Sequence, residues 1–148
     1  MMRLRAALSV LALLAASSAF AETTVENAWV RATAGNGRVT AGYAVIANNS
    51  AAADTLLSVS VPEAKIAEVH ESKPGSEGVM SMLPVGALSI PAGKLQLKPG
   101  GLHVMIMQLS RPLKAGETLP LVFHFKNRGA VKVDAKVAPL GAAAYPAN

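Results

Sequence analysis

Six side chains carry the chemistry this sequence offers. His70 stands alone, Met80 and Met82 lie two apart, and His103, Met105 and Met107 fall at every second position. Beyond Met1 and Met2, those four are all the methionines of the chain. Alternate residues of a β-strand share a face. Met80 and Met82 therefore point together, and so do His103, Met105 and Met107. Thioether sulfur is soft, uncharged and has no proton to lose, so it favours Cu(I) over harder ions. Neutral imidazole adds a stronger nitrogen donor. In an oxidising compartment a thiolate site is open to disulfide formation, whereas thioethers oxidise less readily. The pattern suits a Cu(I) site of histidine and methionine. The competing reading is packing, because methionine commonly fills cores and Leu102–Leu109 is apolar enough to be buried on both faces.

Composition removes other chemistries. The chain has no cysteine. Thiol redox chemistry, thiolate zinc sites, iron–sulfur clusters and blue-copper electron transfer all need cysteine sulfur. The lysines are scattered and aromatic residues make up 4% of the chain, so nucleic-acid binding has no support. Ser72 lies two after His70, but nothing supplies a third group or an oxyanion hole. No enzyme activity is expected.

The elements that must position these residues read as strands. The chain opens with a different segment. Residues 1–5 carry Arg3 and Arg5, residues 6–16 are apolar and uncharged, and Ala19-Phe20-Ala21 is a small-x-small site. Residues 1–21 are a secretory signal peptide, with cleavage expected before Glu22. The apolar run is shorter than the roughly 20 residues a bilayer span needs. Cleavage leaves 127 residues with 12 basic against 9 acidic side chains, a formal charge of +3. That length suffices for one core.

Strand-like segments are expected at 25–33, 39–47, 55–61, 66–71, 79–85, 87–90, 94–97, 102–109, 119–125 and 131–137. Polar loops fall at 48–54 and 72–78, and Lys98-Pro99-Gly100-Gly101 reads as a type II turn. In the last third, Leu119, Leu121, Phe123 and Phe125 share a face, and Val131, Val133, Ala135 and Val137 point opposite to Lys132, Asp134 and Lys136. Many short strands at this spacing predict an all-β Greek-key sandwich or barrel. Residues 22–139 form that single domain, and 140–148 form a flexible tail. His124 sits opposite Phe123 and Phe125, as a surface histidine or an accessory ligand. Glu71 points away from His70, and Trp29 and Tyr43 read as core or rim packing.

The His/Met pattern resembles a known signature. His70, Met82 and His103-Val104-Met105 resemble the ligand motif of the periplasmic copper chaperones called PCu(A)C. The surroundings agree: Val69-His70-Glu71, Gly78-Val79-Met80-Ser81-Met82, Ile90-Pro91-Ala92-Gly93, Leu97-Lys98-Pro99-Gly100-Gly101 and Arg111-Pro112-Leu113-Lys114-Ala115-Gly116. So do the early Ala28-Trp29-Val30-Arg31-Ala32 and Ala41-Gly42-Tyr43. The likeness covers nearly all of residues 25–137. Met82 stands 12 positions after His70 and 21 before His103, a one-residue shift from the family's usual spacing about the methionine.

The resemblance implies a cupredoxin-like β fold in the periplasm and one Cu(I) held by His70, Met82, His103 and Met105. Met80 and Met107 are the alternate ligands. It implies delivery of copper to the CuA site of cytochrome c oxidase subunit II, alongside a Sco-type copper chaperone, by a chain expected to be a monomer. Some relatives carry a His/Met-rich C-terminal extension; residues 137–148 hold neither residue, so one site is expected. The alternatives are a copper-buffering or resistance protein, a copper-dependent redox enzyme, and an interaction β-sandwich without metal.

Overall fold

The computed structural model describes residues 22–147. The expected signal peptide lies outside these residues. Ten strands are described: β1 (Thr23–Arg31), β2 (Thr40–Asn48), β3 (Asp54–Ser60), β4 (Ala64–Pro74), β5 (Met80–Pro84), β6 (Leu88–Ile90), β7 (Gly93–Leu97), β8 (Leu102–Leu109), β9 (Thr118–Phe125) and β10 (Gly129–Ala138). One 3₁₀ turn, Ser76–Gly78, joins β4 to β5. The fold is the expected all-β, cupredoxin-like Greek-key sandwich.

The strands follow one another in the order β5-β4-β8-β2-β1-β10-β9-β3-β6, with β7 also on β2. β1 and β10 run parallel, and the other pairs are antiparallel. The order folds back on itself, so that Val30, Ile46, Leu56, Val69, Ile90, Leu97, Val104, Ile106, Leu121 and Phe123 meet in one core. The alternation expected in the last third is present. Leu119, Leu121, Phe123 and Phe125 are buried, and Lys132 and Asp134 face solvent.

Two features set up the face opposite the core. β2 pairs with β8 through Thr40, Ala41 and Gly42, then with β7 from Ala44 onward. Gly42 sits at the change of partner. A side chain there would start 3.2 Å from Val30 Cγ1 and 3.5 Å from Ile106 Cδ1. In β1 a bulge between Glu26 and Trp29 resets the alternation. Asn27, at φ 50°, takes the left-handed conformation that asparagine tolerates. Ala28 and Val30 then enter the main core, while Trp29 joins Tyr43 and Ala138 in a second cluster outside it.

The segment 72–78 is not all loop. β4 continues through Ser72, Lys73 and Pro74, which pair with Met82, Ser81 and Met80. Composition marks this stretch as a turn, but the neighbouring strand outweighs it. Pro74 is tolerated because it ends β4, past the last β8 pair at Glu71, with only β5 beside it. At the far end of the sandwich Asp54, expected in a loop, opens β3. Its carboxylate accepts N–H bonds from Thr55 (2.7 Å), Asn127 (2.9 Å) and Arg128 (3.1 Å), tying the β9–β10 turn to β3. Burial pushes this carboxyl up, but those N–H donors and the Thr23 hydroxyl outweigh it and hold it below the usual carboxylate range.

Candidate metal centre

β4 lies between β5 and β8, and the register settles which side chains share its outer face. His70 is directly opposite His103. Glu68 is opposite Met105, and Ile66 is opposite Met107. On the other side Ser72 is opposite Met82, and Pro74 is opposite Met80. Directly opposed residues of an antiparallel pair project to the same side. His70, Met82, His103 and Met105 therefore stand on one face, within one diagonal step of His70. Met80 and Met107 are each one step further along their strands.

Burial grades across this face. His103 is buried, at 3% exposure. Met105 and Met107 are half-buried. The His70 side chain is 13% exposed. Met82, on the outermost strand, is 54% exposed and Met80 52%.

The two imidazoles are held by different atoms. His103 Nδ1–H donates to the Gly101 carbonyl at 3.0 Å. That oxygen also accepts the Ser72 N–H at 3.2 Å, so it ties β4 to the start of β8. It is positioned by the tight turn at Lys98–Gly101, where Gly101 N–H donates to Lys98 O (3.0 Å) and Gly100 has φ 82°. His70 Nε2 lies 2.9 Å from Glu68 Oε2, within hydrogen-bond distance. The other nitrogens, His70 Nδ1 and His103 Nε2, are buried with no hydrogen-bond partner among the described residues. The rings lie 6.0 Å apart, centroid to centroid. A buried polar atom without a partner costs about 1–3 kcal/mol, so two of them on facing strands need an explanation.

Behind His103 stands an aromatic wall. The Tyr43 ring is 6.4 Å from the His103 ring and 4.5 Å from Trp29. The Arg31 guanidinium lies over Tyr43 at 5.5 Å. Burial raises the Tyr43 phenol above its usual value, with Arg31 opposing, so the ring is neutral at ordinary pH. The backbone at Ala142 closes this wall by accepting Arg31 Nε–H at 3.0 Å.

The sequence places some site residues correctly and misses others. Trp29 and Tyr43 pack as expected, but Tyr43 also borders a candidate donor. Glu68 and the Gly101 carbonyl were missed. Glu68 sits two before His70, so the alternation that pairs Met105 with His103 also signals it. Glu71 points away from the site and pairs with Lys73 at 3.3 Å. His124 lies on β9, four strands along the order from β8, where its Nε2 meets Ser60 Oγ at 2.9 Å. It does not join the cluster. Among the described residues no three His, Cys, Asp or Glu side chains gather as a metal group. The other donors that the register brings to this face beside the two imidazoles include the Met82 and Met105 sulfurs.

Known proteins share this arrangement of strands and sequence. The LpqE-like family, described as "Putative lipoprotein LpqE-like", matches residues 23–137. The chain belongs to this family. The Leifsonia xyli protein described as "Putative lipoprotein Lxx21020" is 33% identical over 106 residues, 70% of this chain. The chain spans 61% of that curated relative's length. Among solved structures, the CuI form of DR1885 from Deinococcus radiodurans is 33% identical, with a TM-score of 0.62, covering 84% of this chain and 83% of the other. The apo PCuAC domain from PmoF1 is 28% identical, with a TM-score of 0.64, covering 80% of this chain and 94% of that one. This LpqE-like chain is thus a PCuAC-type protein.

Proposed function

We propose that this chain is a periplasmic Cu(I)-binding metallochaperone that carries one copper ion as cargo on His70, Met82, His103 and Met105. The observation that carries the reading is the pair of buried imidazole nitrogens without partners, His70 Nδ1 and His103 Nε2, on directly opposed residues. Their lone pairs are already desolvated, so a soft cation that accepts them relieves a cost present in the metal-free fold. Register favours Met82 and Met105 over Met80 and Met107, because the first two lie one diagonal step from His70. Two thioethers and two neutral imidazoles leave the ion's single charge in place and suit Cu(I) better than Zn(II) or Cu(II). The relative DR1885 was solved with Cu(I), which supports the same cargo here.

The exposure gradient fits a carrier. His103 anchors from inside, and Met82 sits at the open edge where an acceptor's ligand can enter. The lipoprotein description of the family fits an exported chain. By resemblance, the acceptor is the CuA site of cytochrome c oxidase subunit II, reached alongside a Sco-type chaperone. The test is an anaerobic competition titration against a Cu(I) chelator. One Cu(I) per chain is expected for the wild type and none for a His103→Ala/Met105→Ala double variant. Full affinity in that variant would overturn the ligand set. Delivery is tested by mixing the loaded chain with apo CuA domain and following copper into the binuclear centre.

A further inference from the structure

We propose that Glu68 is a positioning residue for the metal: it holds His70 with the proton on Nε2, so that the two histidines offer opposite ring nitrogens, Nδ1 from His70 and Nε2 from His103. The inference rests on the copper reading above and specifies how that site is built.

Each acceptor constrains the ring nitrogen that faces it. A backbone carbonyl only accepts, so the nitrogen of His103 facing Gly101 O must carry the proton. An ionised carboxylate only accepts as well, so His70 Nε2, 2.9 Å from Glu68 Oε2, must donate. A neutral imidazole has one proton. The bare nitrogens are then His70 Nδ1 and His103 Nε2, the same two atoms that are buried without partners. Two independent acceptors, one a side chain and one a backbone group, thus select opposite tautomers on rings that face each other. Metal-bound histidines usually have their second nitrogen fixed in this way, by a carboxylate or a carbonyl.

Glu68 has a second relation to the site. It is directly opposite Met105, so its carboxylate lies on the donor face rather than behind it. Four neutral donors leave a bound Cu(I) with its full charge, and this carboxylate is the nearest anion that the register provides. Its side chain is 50% exposed, so replacing it opens no hole in the core.

The metal-free wild-type chain, labelled with ¹⁵N in histidine, tests the first half. Long-range ¹H–¹⁵N correlation spectra at one pH are expected to show His70 as the Nε2–H form and His103 as the Nδ1–H form. A His70 resonance pattern of the Nδ1–H form overturns the proposal. Substitution tests the second half. Glu68→Gln keeps an accepting oxygen and is expected to keep the His70 tautomer, with a modest loss of Cu(I) affinity from the missing charge. Glu68→Ala is expected to give a mixed tautomer and an affinity lower by about 10–100-fold. Glu71→Gln, on the other face of β4, is expected to change neither. Unchanged tautomer and affinity in Glu68→Ala overturn the proposal. A wild-type chain with the expected tautomers that takes up no Cu(I) overturns the copper reading instead and upholds the Glu68 contact.

Discussion

His70 and His103 stand directly opposite each other on β4 and β8, their rings 6.0 Å apart, each bound to the protein through a different nitrogen. The relationship joins two residues 33 positions apart in the chain. It places one bare nitrogen from each ring in a dry setting and leaves both short of a partner. Such a pair is poor for stability and good for capturing a cation.

That trade predicts a stability effect. In His103→Leu, the Gly101 carbonyl keeps the Ser72 N–H as a partner, so no group is stranded. The metal-free variant should be as stable as the wild type or more so, by up to about 1–2 kcal/mol in urea unfolding. Saturating Cu(I) should raise the melting temperature of the wild type and leave the variant unmoved. A metal-free variant that is much weaker would show that the unpartnered nitrogen carries no cost.

Met82 should behave in the opposite way. Its side chain is more than half exposed, on the edge strand. Met82→Ala should change folding stability by less than about 0.5 kcal/mol. It should nevertheless weaken Cu(I) binding at least about tenfold, equivalent to 1.4 kcal/mol. Met80→Ala and Met107→Ala, a step further from His70, should each weaken it less. Chelator competition on the three variants gives the ranking.

Acid should loosen the far end of the sandwich. The folded Asp54 carboxyl lies below its usual value near 3.9. Its stabilising effect is therefore fully present above about pH 4 and fades as pH falls through the depressed folded value. Asp54→Asn should flatten the slope of unfolding free energy in that acid window. At pH 7 the variant should be weaker, by about 1.5–3 kcal/mol for each charge-assisted bond that the amide cannot replace. Urea titrations of both proteins from pH 7 down to pH 3 provide the comparison.

Gly42 supports the site from behind. A leucine there would meet Val30 and Ile106 on the core side of β2, where Ile106 belongs to the strand that carries His103 and Met105. Gly42→Leu should cost about 1–3 kcal/mol through overpacking. It should weaken Cu(I) binding as well, since β8 must shift to make room. A variant that loses stability while binding Cu(I) as the wild type does would show that β8 is not displaced.

The strand pattern of the last third was legible because its partners are close in sequence. β9 and β10 form a hairpin, and Phe123 or Val137 each declare a face by period two. The same rule put His103 with Met105 and Met80 with Met82. What it could not supply was the meeting of β4 with β8, since register between distant strands is set by the whole core. Ser72-Lys73-Pro74 looked like a loop for the same reason: it becomes strand only because β5 lies beside it. The choice of Met82 over Met80 also depends on that register. Glu68 was hidden in another sense. A carboxylate is a poor ligand for Cu(I), and its role here is to hold a ligand.

The outermost strand bears on how the chain behaves in a crowd. Among the described residues β5 has β4 on one side and no strand on the other, and all five of its residues are exposed. Bare strand edges invite copies of a chain to zip together into extended ribbons. β5 is short and ends in Pro84, which brings no N–H to such a seam. The edge that must stay open for Met82 to be reached is thereby made a poor template for self-association, and access is kept without inviting fibres.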